Sequence, residues 1–179
     1  TDRKKTMYEI EVDGRKHTFM YAKKGESHNH PFGIEPVGAV ETCSGGVFRD
    51  TWAVFGKPVS SMIFFCLADP NIPDDMVPDG RKTPIEYLLG GTRGHRNYGN
   101  PVGIPTHFAQ YFFSPKRIHA GMEFNGKEIK FGNVARPLVM GYSFGIVKKE
   151  NYVYNPQSGD AVIVMGPPAK LVGLEGAVG

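Results

Sequence analysis

Long apolar runs, cysteine and a surplus of charge of one sign are all scarce in this chain. Its longest apolar run, Met62–Ala68, is far too short to cross a membrane. Two cysteines, Cys43 and Cys66, are too few for a disulfide framework and fit a reducing cytoplasm. The net charge is only +3, with Lys and Arg scattered among acids, so neither nucleic acid nor an anionic membrane is indicated as a partner. No basic segment followed by an apolar stretch opens the chain, so an export signal is not expected. No strand leads directly into GxGxxG or GxxxxGK[ST], which removes the fingerprints of dinucleotide and P-loop sites.

The sequence has 179 residues, 40% of them apolar and 12% aromatic, enough for one packed domain. Its 23 glycines and 14 prolines predict many turns. Met7–Val12 and Lys16–Tyr21 alternate around Asp13-Gly14, a hairpin pattern. Lys24–Ser44, rich in glycine and proline, reads as an extended loop, and Gly45–Phe55 as a helix with its glycines at the start. Val59–Leu67 reads as a buried strand and Asn71–Gly80 as a surface loop. Thr83 is a candidate N-cap, with Pro84 at the first helical position and Glu86 completing a capping box, for a helix to about Arg96. His95 and Arg96 would then close that helix, where cations favour the dipole. His107–Phe113, Leu138–Val147 and Asp160–Met165 read as strands, while Trp52 and the phenylalanines near residues 64 and 112 read as core. This order predicts an α+β domain, a mixed or antiparallel sheet backed by helices, over residues 1–165. The glycine-rich residues 166–179 read as the start of a further subdomain, with the natural chain expected to continue.

Chemistry concentrates between Glu26 and Asp50. In an extended segment Glu26, His28 and His30 share a side, and a carboxylate beside imidazoles can hold a hard cation, orient a histidine or tune it. A zinc site, a chance polar loop and a capped turn compete with that reading. Zinc would want more Cys or His at ligand spacing, and Cys43 is the nearby candidate. Gly45-Gly46 at a helix start would let a phosphate reach free backbone N–H groups. Asp50, one turn in, would be placed to ligate Mg²⁺. The plainer alternative makes Gly-Gly a turn and Asp50 a dipole-favoured surface charge beside Arg49.

The string KGESHNHPFGIEPVGAVETCSGGVFRD resembles the signature K-x-E-[ST]-H-N-H-P-x-x-I-E-P-x-x-G-A-x-T-G-x-G-G-x-x-R-D of the phosphoribosylformylglycinamidine synthase family. Asn97-Tyr98-Gly99-Asn100, Gly103-Ile104-Pro105-Thr106 and Ser158-Gly159-Asp160 are similar to later family motifs, so the resemblance spans roughly residues 20–165. It implies the N-terminal domain of the aminoimidazole ribonucleotide synthetase-like fold, and a ligase that uses ATP and Mg²⁺ in purine biosynthesis. In that chemistry the amide oxygen of formylglycinamide ribonucleotide is phosphorylated, and ammonia from a glutaminase then displaces phosphate. By the same resemblance Lys24 contacts ATP phosphate, Glu26 and Asp50 ligate the metal, and His28 is the active-site histidine. Asn29, His30, Gly45, Gly46 and Asn100 would line the ATP and substrate site, and two such domains would pair sheet to sheet as a homodimer. The chain departs from the pattern at Gly25, Cys43, Asn97, His107–Gln110 and Gly166–Gly173, where the last segment lacks a Thr-Gly-Arg-Asp core. The departures leave open a non-catalytic nucleotide-binding or interaction module.

Overall fold

The fold is that of a computed structural model, which describes residues 7–114, 123–128, 133–152 and 155–166. Strands β1 (Met7–Val12) and β2 (Arg15–Ser27) form the predicted hairpin, and Asp13 and Gly14 both take positive φ, 49° and 70°, as a tight two-residue turn requires. β2 runs on past the hairpin, and its far half pairs antiparallel with β7 (Leu138–Lys148) from Phe19 to Ser27. β3 (Lys57–Ala68) lies on the other side of β7 and pairs parallel with β4 (Thr106–Ser114). The sheet order is therefore β1-β2-β7-β3-β4, a mixed sheet in an α+β domain. β5 (Glu123–Phe124) and β6 (Lys127–Glu128) make a separate small hairpin.

Helices α1 (Asn29–Phe32), α2 (Pro36–Ala53) and α3 (Pro84–Val102) follow the same chain order. α2 and α3 pack on one face of the sheet, over a core of Phe32, Val40, Ile63, Phe65, Tyr87 and Val139. β7 alternates cleanly, with Val139, Gly141, Ser143, Gly145 and Val147 beneath the helices. Gly94 of α3 meets α2 backbone to backbone: a Cβ there would collide with the Val37 carbonyl and stand 3.0 Å from the Val40 Cβ.

Four sequence expectations change. Lys24–Ser44 is strand and helix, not loop, because Glu35 caps α2 and accepts from the N–H groups of Val37 (3.1 Å) and Gly38, with Pro36 at the first helical position. The Thr83 capping box forms as expected, with Thr83 N donating to Glu86 Oε2 at 2.7 Å, but α3 continues past Arg96 and stops at Gly103, φ 68°. Asp160–Met165 pairs with no strand among the described residues, and Val162, Ile163, Val164 and Met165 are nearly fully exposed. Trp52 is 44% exposed and Phe112 is 52% exposed, so of the phenylalanines read as core Phe65 is the fully buried one. The segment 167–179 lies outside the described residues. Among the described residues, no helix is long and apolar enough to cross a membrane.

Replacing Gly94 by Ala should cost about 1–3 kcal/mol, since overpacking outweighs the gain in helix propensity. Urea unfolding of the variant, with the helical signal of the folded state unchanged, checks this.

Candidate functional site

β2 and α2 run antiparallel, and their periods match. Two residues along a strand advance about 6.6 Å, and four along a helix advance about 6 Å. Lys24 and Glu26, on the helix-facing side of β2, therefore meet Asp50 and Gly46, one turn apart on α2. The Lys24 Nζ lies 2.6 Å from Asp50 Oδ2, both side chains being more than a third exposed. The contact holds the Lys24 ammonium above, and the Asp50 carboxyl below, their usual ranges. Arg49 Nε is 3.7 Å from Asp50 Oδ1 on the solvent side. One turn away, the Glu26 carboxylate occupies the space that a side chain on Gly46 would fill.

His28 follows the end of β2, and its Nε2 lies 2.8 Å from Glu26 Oε1. Its Nδ1 is buried with no hydrogen-bond partner among the described residues. Asn29 opens α1, and its Oδ1 accepts from the Val139 N–H at 2.8 Å, which ties the Ser27–Phe32 corner to the start of β7. The Cys43 thiol lies beneath, donating weakly to the Glu26 carbonyl at 3.8 Å. Burial pushes this thiol up to about 12, so it stays protonated and unreactive.

These positions sort the residues expected at the site. Lys24, Glu26, His28 and Asp50 come together, with Asn29 fixing the corner beside them. His30 does not join, because the chain leaves β2 for α1 after Ser27, the two-residue alternation ends, and His30 turns outward. Gly45 and Gly46 lie in the middle of α2, not at its start, so their N–H groups belong to the helix. They make room for neighbours: Gly45 for the Tyr98 ring, Gly46 for Glu26. Asp50 is near the C-terminal end of α2, opposite to the expectation of a first-turn carboxylate. Asn100 is exposed in the last turn of α3, and among the described residues no hydrogen bond or ion pair joins it to Glu26, His28 or Asp50.

The donor types present are those of a hard divalent cation. Two hard carboxylates, Glu26 and Asp50, lie along the seam between β2 and α2, and among the described residues no three His, Cys, Asp or Glu gather around one point. That is too little for a zinc cage but matches Mg²⁺, which takes one or two carboxylates and completes its shell with phosphate oxygens and water. Beside Lys24 and Asp50 opens a cleft of about 890 Å³, whose wall includes Met20, Ala22, Val54 and Tyr152.

A second polar cluster was not legible as such. His95 is buried within α3; its Nδ1 meets Ser44 Oγ at 2.8 Å, and its Nε2 meets Thr106 Oγ1 at 2.7 Å. Ser61 completes the group, 3.1 Å from Thr106. One ring thus joins α2, α3, β3 and β4, and the position read as a helix-closing cation is a buried neutral imidazole held low by desolvation. A histidine within a glycine-rich helix face was the available signal.

No family model matches the chain. It is 31% identical over 172 residues to the phosphoribosylformylglycinamidine synthase subunit PurL of Thermoplasma acidophilum, covering 93% of this chain and 19% of the relative. The same subunit from Nitratiruptor is 34% identical over 158 residues, 87% of this chain and 19% of the relative. The chain thus spans about a fifth of the length of the curated relatives it matches. Among solved structures, phosphoribosylformylglycinamidine synthase II from Thermotoga maritima superposes with TM-score 0.52 at 24% identity, covering 84% of this chain and 20% of that one. T. maritima PurL complexed with ATP gives TM-score 0.50 at 24% identity, over 74% and 17%. These two likenesses bear on the fold.

The neutral, buried His95 sets a pH dependence. Below about pH 6.5 the unfolded imidazole takes up a proton that the folded one resists, so stability falls with acidification from there toward the lowered folded value. His95→Gln should flatten this slope between pH 7.5 and 5.5 in urea titrations. It should also cost roughly 1–3 kcal/mol at neutral pH by disturbing the Ser44 and Thr106 bonds.

Proposed function

Because the chain belongs to the phosphoribosylformylglycinamidine synthase family over the portion it spans, we propose that it carries one wall of an ATP- and Mg²⁺-dependent ligase site. The reaction is the conversion of formylglycinamide ribonucleotide to its amidine, in the cytoplasm, with ammonia supplied by a glutaminase subunit or domain. The observation that carries this reading is the groove in which Lys24, Glu26, His28 and Asp50 converge from β2 and α2.

Each residue has a part its geometry can support. Phosphoryl transfer depends mainly on positioning and charge neutralisation. Lys24, with its ammonium held charged, is the group for an ATP phosphate, and the neighbouring cleft has room for the rest of a nucleotide. Glu26 and Asp50 would hold Mg²⁺, whose contribution is to neutralise phosphate charge. His28 is braced by Glu26 through Nε2, which leaves Nδ1 as the nitrogen to take a proton when ammonia attacks the phosphorylated amide. Asn29 acts by position, holding the corner that presents His28. His30 and Asn100 point to solvent, so any part they play needs a ligand or another portion of the protein to reach them. On this proposal residues 1–165 are the domain, with 166–179 leading into a further subdomain.

The second sheet face supports a paired arrangement. Among the described residues no helix covers it, and aromatic rings cross it from edge to edge. Tyr8 stacks on Tyr21 (4.8 Å), Tyr21 meets Phe144 (6.3 Å), and Phe64 meets both Tyr142 (5.6 Å) and Phe108 (5.5 Å). Gly25, a departure from the family pattern, leaves the space over β2 that the Tyr142 ring fills: a Cβ there would stand 2.7 Å from the ring. A second copy of this sheet is the proposed cover, as a homodimer.

Isothermal titration with ATP and Mg²⁺ tests the site. Binding should be lost, or weakened at least about tenfold, in Glu26→Ala and in Asp50→Ala; unchanged affinity in both would remove the assignment. For the pairing, sedimentation velocity should show a dimer for the native chain and a monomer for Phe64→Glu. A native chain that stays monomeric at high concentration excludes the homodimer.

A further inference from the structure

Lys24 already holds Asp50, one of the two carboxylates that the ligase reading gives to a metal. Its Nζ touches Asp50 at 2.6 Å, and the Glu26 charge, two residues along the same strand face, acts on it through space. Among the described residues the other groups that meet these carboxylates stand elsewhere: His28 on Glu26 Oε1 at 2.8 Å, and Arg49, mostly exposed, 3.7 Å from the far oxygen of Asp50. Two carboxylates and one ammonium leave the groove with a net charge of −1. Adding a divalent cation to Asp50 while the ammonium stays would place two cations against one carboxylate. Expelling the ammonium leaves the metal balanced by the carboxylates and Lys24 in need of an anion.

We propose that Lys24 is the resident cation of this groove: it holds Asp50 until a divalent ion displaces it, and displacement frees its ammonium for a phosphate. Metal and phosphate binding are then coupled by the exchange of one ion pair for two. The idea rests on the ligase reading for the identity of its two ligands, and it adds an order and a competition that the ligand assignments alone do not contain.

The test uses Mn²⁺ alone, without nucleotide, followed by electron paramagnetic resonance on the folded chain. Lys24→Met removes the competitor and should tighten Mn²⁺ binding on the order of tenfold. Lys24→Arg keeps a cation and should stay near the native affinity. Adding Asp50→Asn to Lys24→Met should abolish the gain. If Lys24→Met binds Mn²⁺ no better than the native chain, the inference is overturned, and so it is if Lys24→Arg tightens binding as much as Lys24→Met. Because nucleotide is absent, the outcome is separable from the ligase reading: native binding of ATP with Mg²⁺, alongside an unimproved Lys24→Met, sinks the exchange and leaves the ligase reading standing.

Discussion

The close approach of α2 to β2 and β7 is the constraint on which the rest depends. A carboxylate can lie against a helix backbone only where the helix carries no side chain, and Gly46 supplies that gap for Glu26. The same contact runs on down the helix. Gly141 admits Cys43 at 3.0 Å from its would-be Cβ, and Gly145 admits Thr51, whose hydroxyl donates to Ser143 at 3.1 Å. These small residues bring α2 close enough for Asp50 to reach Lys24. If the helix were lifted by one methyl group along this seam, both halves of the groove would come apart, because each half has one partner on the strand and one on the helix.

That seam also explains which parts of the structure could be read from the sequence. The Asp13-Gly14 hairpin and the Thr83–Glu86 capping box are local devices, their determinants lying within four residues of one another, and both form as read. The segment from Lys24 to Ser44 was misread because glycine and proline normally break helices. Here Pro36 starts α2, where its missing N–H costs nothing, and Gly45 and Gly46, which follow the segment, sit in the helix beside neighbours distant in sequence. Intrinsic propensity disfavours each by up to about 1 kcal/mol relative to Ala. Packing against Glu26 and Tyr98 overrides it, and no local pattern announces that.

The site divides along the same line. The identities of Lys24, Glu26, His28 and Asp50 stand in the motif, and the fold brings those four together. Their mode of assembly was not legible: phosphate binding at a helix start gives way to a groove between a strand and the C-terminal half of a helix, where the dipole offers an anion nothing. Position within a helix matters more here than residue type. Asp50 would be a stabilising charge in a first turn. In the last turns of α2 it is unfavourable, and the Lys24 ammonium beside it offsets that.

Polar and apolar groups then distribute in a way that composition alone would not predict. The helix-facing side of the sheet holds buried polar groups, the Ser44–His95–Thr106–Ser61 cluster and the Thr51–Ser143 pair, each satisfied by another. The opposite side, free of helices among the described residues, is crossed by aromatic rings. A sheet with one face covered usually turns polar side chains to water on the other. An aromatic second face is the kind of exposed apolar surface that marks an interaction site. The Lys24–Asp50 and Glu26–Gly46 contacts belong to the helix-covered face.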